Sequence, residues 1–326
     1  FDRVLSIILC ALLLYTPFFG PFEIIDFVYA QTIALILGAI LSLAIVAWKG
    51  EVVYPKFEWK SLFPLLIQSF PFALVVLLMT IYTRIDAVML GKLLGDTGNI
   101  QAGIYAGAYR ILDAMNMLPF LLASLLIPFF ARKLKSKESF SEEMWTSVSL
   151  IWVISVPVVI LTYYFHPQVI DLLYKQGDSE WFLSFQMLLF SFPLVALSYV
   201  FGGFLTAAGR LKTISIFALI TIVLNLVLNF ILIPQYGAGG AAIATFFSQG
   251  LMAFAQLIVV MKNWETNFDL AMLKKGFLYT LALGFIAYAF SFLALAWFLK
   301  IALFILIAVI LSLILRLISI QKLKFL

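Results

Sequence analysis

Apolar residues dominate this chain in long runs that short polar interruptions punctuate, and the length of those runs is the first guide to its structure. A helix crossing a bilayer needs roughly 20 mainly apolar residues. Ten segments qualify, at about 4–21, 28–48, 62–82 (extendable to 94), 102–130, 147–166, 182–207, 213–233, 239–261, 277–299 and 301–319. Alternation with a period of two is absent, and the runs are too long for barrel strands. Helices are therefore the expected spanning element, because a helix satisfies its own backbone groups in lipid. The predicted fold class is all-α, a polytopic transmembrane bundle of about ten spans.

The composition agrees. Hydrophobic residues make up 64% and charged residues 11%, with a mean hydropathy of +1.12. A water-soluble domain could not hide that much apolar surface. The polar interruptions carry the topology signal. Arg3, the Lys49–Lys60 segment, Arg132–Lys137, Arg210 and Lys212, Lys262–Lys275 and Arg316–Lys324 form one alternate set of loop ends. The opposite set holds Lys92, Lys175 and Lys300, with Glu23, Asp26, Asp171, Asp178 and Glu180. Basic loops stay cytoplasmic, so all ten spans alternate with both chain ends inside. The net charge of +5 is thus a topology signal and not a nucleic-acid footprint. The basic loops are expected to touch anionic lipid heads. Cys10 is a lone thiol in an apolar run, no His, Cys or carboxylate set has metal-ligand spacing, and His166 before Pro167 reads as a helix end.

Polar segments also divide the chain. Residues 1–48 hold two helices, 49–61 a cytoplasmic linker, 62–262 a six-helix lobe and 263–326 two further helices. The segment from Arg132 to Glu143 reads as an amphipathic connector. Pro71, Pro119, Pro128, Pro157, Pro193 and Gly202-Gly203 fall inside spans and are candidate bends, since proline frees backbone groups there. The chain starts at Phe1 within a membrane segment, so it is expected to be part of a longer protein.

Charge at membrane depth costs at least about 2.5–3.5 kcal/mol per residue and marks function by default. Arg84, Asp86, Arg110 and Asp113 are such charges. Gly95–Asn99 is a turn by composition, and Arg84 and Arg110 sit equally far on either side of it, at similar depth. Asp113 and Asn116 extend the face of Arg110 at three-residue steps. One reading is interhelical glue. The other is a water-filled cavity whose arginine forks hold an anionic headgroup. Asn225 and Asn229, four apart, and Gln249 and Gln256, seven apart, are further polar stripes suited either to sugar hydroxyls or to helix packing. The candidate substrate-binding set is Arg84, Asp86, Arg110, Asp113, Asn116, Asn225, Asn229 and Gln249.

Several stretches resemble one family. TRIDAVMLG (83–91), GIYAGAYRILD (103–113), IPFF (127–130), LTAAGRLK (205–212) and IPQYGAGGAAIAT (233–245) look like the polysaccharide-export flippases of the multidrug/oligosaccharidyl-lipid/polysaccharide exporter superfamily. The resemblance covers about residues 60–262. It implies two six-helix lobes around a central cavity, with most of the first lobe lying outside this sequence. It also implies transport, not catalysis: flipping of undecaprenyl-pyrophosphate-linked oligosaccharide across the cytoplasmic membrane by alternating access. The partners would be that lipid-linked substrate, membrane lipids and polysaccharide polymerase or assembly proteins, with no nucleic acid, and the protein would act as a monomer. No cofactor is expected beyond coupling to a proton or sodium gradient. A cation-coupled drug exporter of the same superfamily and a peptidoglycan-precursor flippase are the alternatives. A membrane glycosyltransferase would need large outer loops, which are absent from this pattern.

Overall fold

The structure, a computed structural model, describes residues 2–15, 24–48, 58–174, 179–264 and 269–318. The described residues form helices only: α1 (Asp2–Tyr15), α2 (Ile24–Trp48), α3 (Trp59–Leu93), α4 (Gly98–Ser136), α5 (Ser141–Tyr174), α6 (Ser179–Ala207), α7 (Leu211–Trp264), α8 (Leu270–Ser291) and α9 (Trp297–Ile314). Eight of them, all but α1, are long and apolar enough to cross a membrane. This is an all-α multi-pass membrane protein. Large apolar side chains such as Leu43, Phe70, Phe120, Phe230 and Phe285 remain exposed on the helices. In water such a surface would be untenable; in a bilayer it is the face the lipid wets.

The chain divides into two compact units, residues 1–66 and 67–326. In the first, α1 packs on α2, where Ala30 and Ala34, four apart, bury their small side chains. Residues 49–57, the body of the expected linker, lie outside the described residues.

In the second unit α6 lies at the centre, against α4, α5 and α7. Leu188, Phe192, Ala196, Val200 and Phe204 of α6 are buried, at the four-residue spacing of one helix face. The prolines do not end these helices. Pro119 and Pro128 lie within α4, Pro157 and Pro167 within α5 and Pro193 within α6.

The long α7 is two antiparallel arms, broken at Gly237 with φ 55° and ψ −132°. The reversal is tight enough that a Cβ on Gly240 would lie 2.3 Å from the carbonyl oxygen of Leu232. Gln101 of α4 reaches into it, its Oε1 accepting from the Ala238 N–H at 2.8 Å. That side chain caps the first turn of the second arm, whose N–H groups have no partner within the helix. With the break counted, the described helical segments number ten, in the order the sequence pattern predicts, but α1 is too short over its described residues to cross a membrane, which leaves nine.

The expected amphipathic connector is mostly helix instead. α4 continues to Ser136 and ends at Lys137, which adopts left-handed geometry with φ 58°. Lys133 then closes the turn, bonding Glu143 at 2.6 Å and the Ser139 carbonyl at 2.9 Å. The last two helices dock on α5. Trp152 donates to the Gly276 carbonyl and to Thr280, and Tyr279 donates to the Val153 carbonyl.

Candidate functional site

The polar residues of the second unit fall on matching faces of adjacent helices. On α3 the row is Met79, Tyr82 and Asp86. On α4 it is Tyr105, Tyr109, Asp113 and Asn116. The first arm of α7 contributes Ala218, Thr221, Asn225 and Asn229, and the second arm Thr245, Gln249, Met252 and Gln256. Steps of three and four keep each row on one side of its helix. Together the rows make a polar seam with two parts.

The first part is closed around Asp86, which is 1% exposed. Its Oδ1 accepts from Asn229 Nδ2 at 2.6 Å, and its Oδ2 accepts from the Thr245 hydroxyl at 2.9 Å and from the Tyr105 hydroxyl. Asn229 Nδ2 also donates to Asn225 Oδ1 at 3.1 Å. Asn229 Oδ1 is buried without a partner, and Asn225 Nδ2 lies near Asp86 without closing a bond. No described Lys or Arg stands within ion-pair distance of Asp86. A carboxylate here has hydrogen bonds but no counter-charge, an expensive arrangement in a low-dielectric interior.

The second part is a cavity of about 570 Å³ among α3, α4, α6 and α7. It extends from Tyr82, one helical turn from Asp86, to Thr206 and Ile214 beside the α6–α7 turn. Tyr82, Tyr109, Tyr199 and Phe120 supply aromatic walls, and Asn116, Ser198, Gln249 and Gln256 supply polar groups. Gly202 makes room for the Gln256 amide: a Cβ there would lie 3.3 Å from its Nε2. Asp113 is the single charged residue in the lining.

The eight candidate residues are thus distributed over three places. Asp86, Asn225 and Asn229 join in the closed cluster. Asp113, Asn116 and Gln249 line the cavity. Arg84 and Arg110 are exposed and outside its lining. Each arginine directly follows a lining residue, Thr83 or Tyr109, so a rotation of about 100° per residue carries it off the cavity wall. Asp113 feels the charge of Arg84 from the neighbouring helix, and no ion pair joins it to Arg110. Single-residue chemistry gave no signal for Tyr105, Thr245, Tyr82 or Ser198. The four-residue steps from Tyr105 to Tyr109, and from Thr245 to Gln249, would have found two of them.

A family model described as polysaccharide biosynthesis protein matches residues 2–134, and the MatE model matches residues 71–231. Over residues 2–231 the chain is thus similar to families of the multidrug/oligosaccharidyl-lipid/polysaccharide exporter superfamily. Among solved structures it is similar to the lipid II flippase MurJ in an inward closed conformation, with 19% identity and a TM-score of 0.71 over 99% of this chain and 66% of that one. It is also similar to a superfamily transporter from Pyrococcus furiosus Vc1 (DSM3638), with 16% identity and a TM-score of 0.50 over 78% of this chain and 65% of that one. At such identities the likeness is one of fold. The chain spans just under two thirds of the length of these two superfamily structures. Comparison with curated proteins gave no match.

Proposed function

We propose that the full-length protein flips an undecaprenyl-pyrophosphate-linked oligosaccharide, an O-antigen, capsule or exopolysaccharide repeat unit, across the cytoplasmic membrane. A pyrophosphate and several sugars cannot enter hydrocarbon without losing their hydration. A polar site that opens first to one side and then to the other replaces that hydration while the lipid tail stays in the bilayer. The observation that carries this reading is the pairing of two exposed intramembrane arginines, Arg84 and Arg110, with an adjoining polar cavity. The match to the polysaccharide-biosynthesis model supports it and includes both arginines. Arginine keeps its charge and offers a planar fork that phosphate oxygens fit. No bond is made or broken, so the task is transport and not catalysis. The basic loops and C-terminus are cytoplasmic on this reading, and the protein works as a monomer beside the polysaccharide-assembly proteins.

Asp86 is where the energy source enters. A buried carboxylate with no cationic partner has a place for a proton or a sodium ion, and the unpartnered Asn229 Oδ1 offers a further oxygen. Occupation would neutralise the cluster that ties α3 to α4 and α7, so the cation and the position of α3 would depend on each other.

One observation favours a second reading. The cavity's formal charge is acidic, from Asp113, which suits an organic cation and a cation-coupled drug exporter. The deciding experiment expresses the full-length gene in a cell lacking its own polysaccharide flippase. Restored surface polysaccharide, lost with precursor build-up in Arg110→Ala and partly regained in Arg110→Lys, supports the first reading. Drug resistance without restored polysaccharide supports the second. Rescue only of a cell lacking its peptidoglycan-precursor flippase would move the substrate to that precursor.

A further inference from the structure

The cavity among α3, α4, α6 and α7 has a chemistry of its own, distinct from the arginines outside it. Six buried side-chain polar atoms in the described residues have no hydrogen-bond partner, and four of them belong to residues that line this one cavity. They are Asn116 Oδ1, the Ser198 hydroxyl, Gln256 Oε1 and the Tyr82 hydroxyl, which lies near the Gln249 and Thr245 side chains without closing a bond to either. Tyr82 is 4% exposed and Gln256 2%, so bulk water does not satisfy them. Buried polar groups are almost always paired, and a cluster of orphans around a single void marks what the void accommodates.

The set is specific in kind. Two are hydroxyls, able to donate and accept, and two are amide carbonyl oxygens that accept. Their match is a ligand rich in hydroxyl groups. The lining holds no Lys or Arg, and its single charged residue, Asp113, is acidic, so nothing inside favours an anion. The aromatic faces of Tyr109, Tyr199 and Phe120 and the thioethers of Met79, Met117 and Met252 suit the apolar faces of the same ligand. A volume of about 570 Å³ lies within the range of small-molecule sites.

We propose that this intralobe cavity is a binding site for a neutral sugar, separate from the arginine-bearing face. The proposal rests on the saccharide-transport reading above and deepens it: the glycan and the anionic headgroup would be recognised in different places. The sugar's hydroxyls take the four orphaned atoms as partners, and its ring lies against the tyrosines.

The test uses full-length protein in lipid nanodiscs and isothermal titration calorimetry. The probes are octyl β-maltoside below its micelle concentration, tetraethylene glycol mono-octyl ether as a sugar-free match, and tetraphenylphosphonium as an organic cation. Saturable maltoside binding at least ~10-fold tighter than the glycol ether is expected. Ser198→Ala should weaken it ~2–10-fold, the loss of one hydrogen bond. Ser198→Phe, which fills the void, should abolish it, with an unchanged melting midpoint showing that the fold survives. Equal binding of maltoside and glycol ether, binding only of the phosphonium, no saturable maltoside binding, or maltoside binding that survives Ser198→Phe would each overturn the proposal. Maltoside binding without restored export would refute the transport reading and leave this site standing. Export without maltoside binding would refute this site alone.

Discussion

Replacing Asp86 separates two roles that the closed cluster combines. The carboxylate accepts three hydrogen bonds, from Asn229, Thr245 and Tyr105, which join α3 to α4 and to both arms of α7. Interhelical hydrogen bonds in membranes are worth about 0.6 kcal/mol on average and up to about 1.7 each, so losing three removes about 2–5 kcal/mol. Asp86→Ala should therefore lower the thermal midpoint markedly. Asp86→Asn keeps the shape. Its amide group can face Tyr105 and Thr245, whose hydroxyls rotate to accept, while its carbonyl still accepts from Asn229. The cost should fall to about 0.5–1.5 kcal/mol, the net worth of one bond. The negative charge, however, is gone, and with it the attraction for a proton or sodium ion. The assay is paired: thermal unfolding in detergent, and gradient-driven export in cells at matched protein level. The expected result is near-normal stability of Asp86→Asn with export lost. Normal export by Asp86→Asn would refute the coupling role. A melting loss equal to that of Asp86→Ala would show that the charge itself, not the hydrogen-bond geometry, holds the cluster.

Other consequences are simpler. Gly240→Ala should misfold or fall below detectable expression, because its Cβ would meet the Leu232 carbonyl oxygen at 2.3 Å; normal yield and melting would contradict the tight reversal. Gln101→Leu removes the cap on Ala238 and should cost about 0.5–2 kcal/mol in unfolding. Trp152→Phe deletes the indole bonds to Gly276 and Thr280. It should lower the thermal midpoint while leaving maltoside binding intact, since Trp152, Gly276 and Thr280 all lie outside the cavity lining. Arg84→Ala should impair export, and Arg84→Lys should restore it in part.

The spans were legible because bilayer thickness writes itself into run length, and the division into runs at 213–233 and 239–261 anticipated the reversal in α7. The placing of the charges inside long apolar helices was legible for the same reason. Their direction was not. Arg84 and Asp86 differ by two residues, which turns them about 200° apart on a helix, so one is exposed and the other sealed inside. Deciding which way each points needs the neighbouring helices, and no periodicity supplies that where nearly every residue is apolar. The amide pairs gave their own faces away by spacing. Their neighbours, Asp86 for one stripe and Gly202 for the other, come from α3 and α6 and could be assigned only by packing. The connector at Arg132–Glu143 misled for a local reason. Its alternating charges follow the last turn of α4 and the first of α5, with Lys133 joining the two.

The separation of charges in the second unit bears on how such a protein could work. If the arginines faced the same space as Asp86, each would neutralise the other and neither would have spare affinity for a ligand. Here Asp86 is sealed among hydrogen-bond donors that carry no charge, while Arg84 and Arg110 remain exposed. The positive face therefore keeps its attraction for an anion, and the negative centre keeps its attraction for a cation. The two are linked by α3, which carries Arg84 and Asp86 two residues apart. A shift of α3 that accompanies cation binding at Asp86 must also move Arg84. On the proposed reading, energy from the ion would reach the anionic substrate through this one helix, without a longer relay.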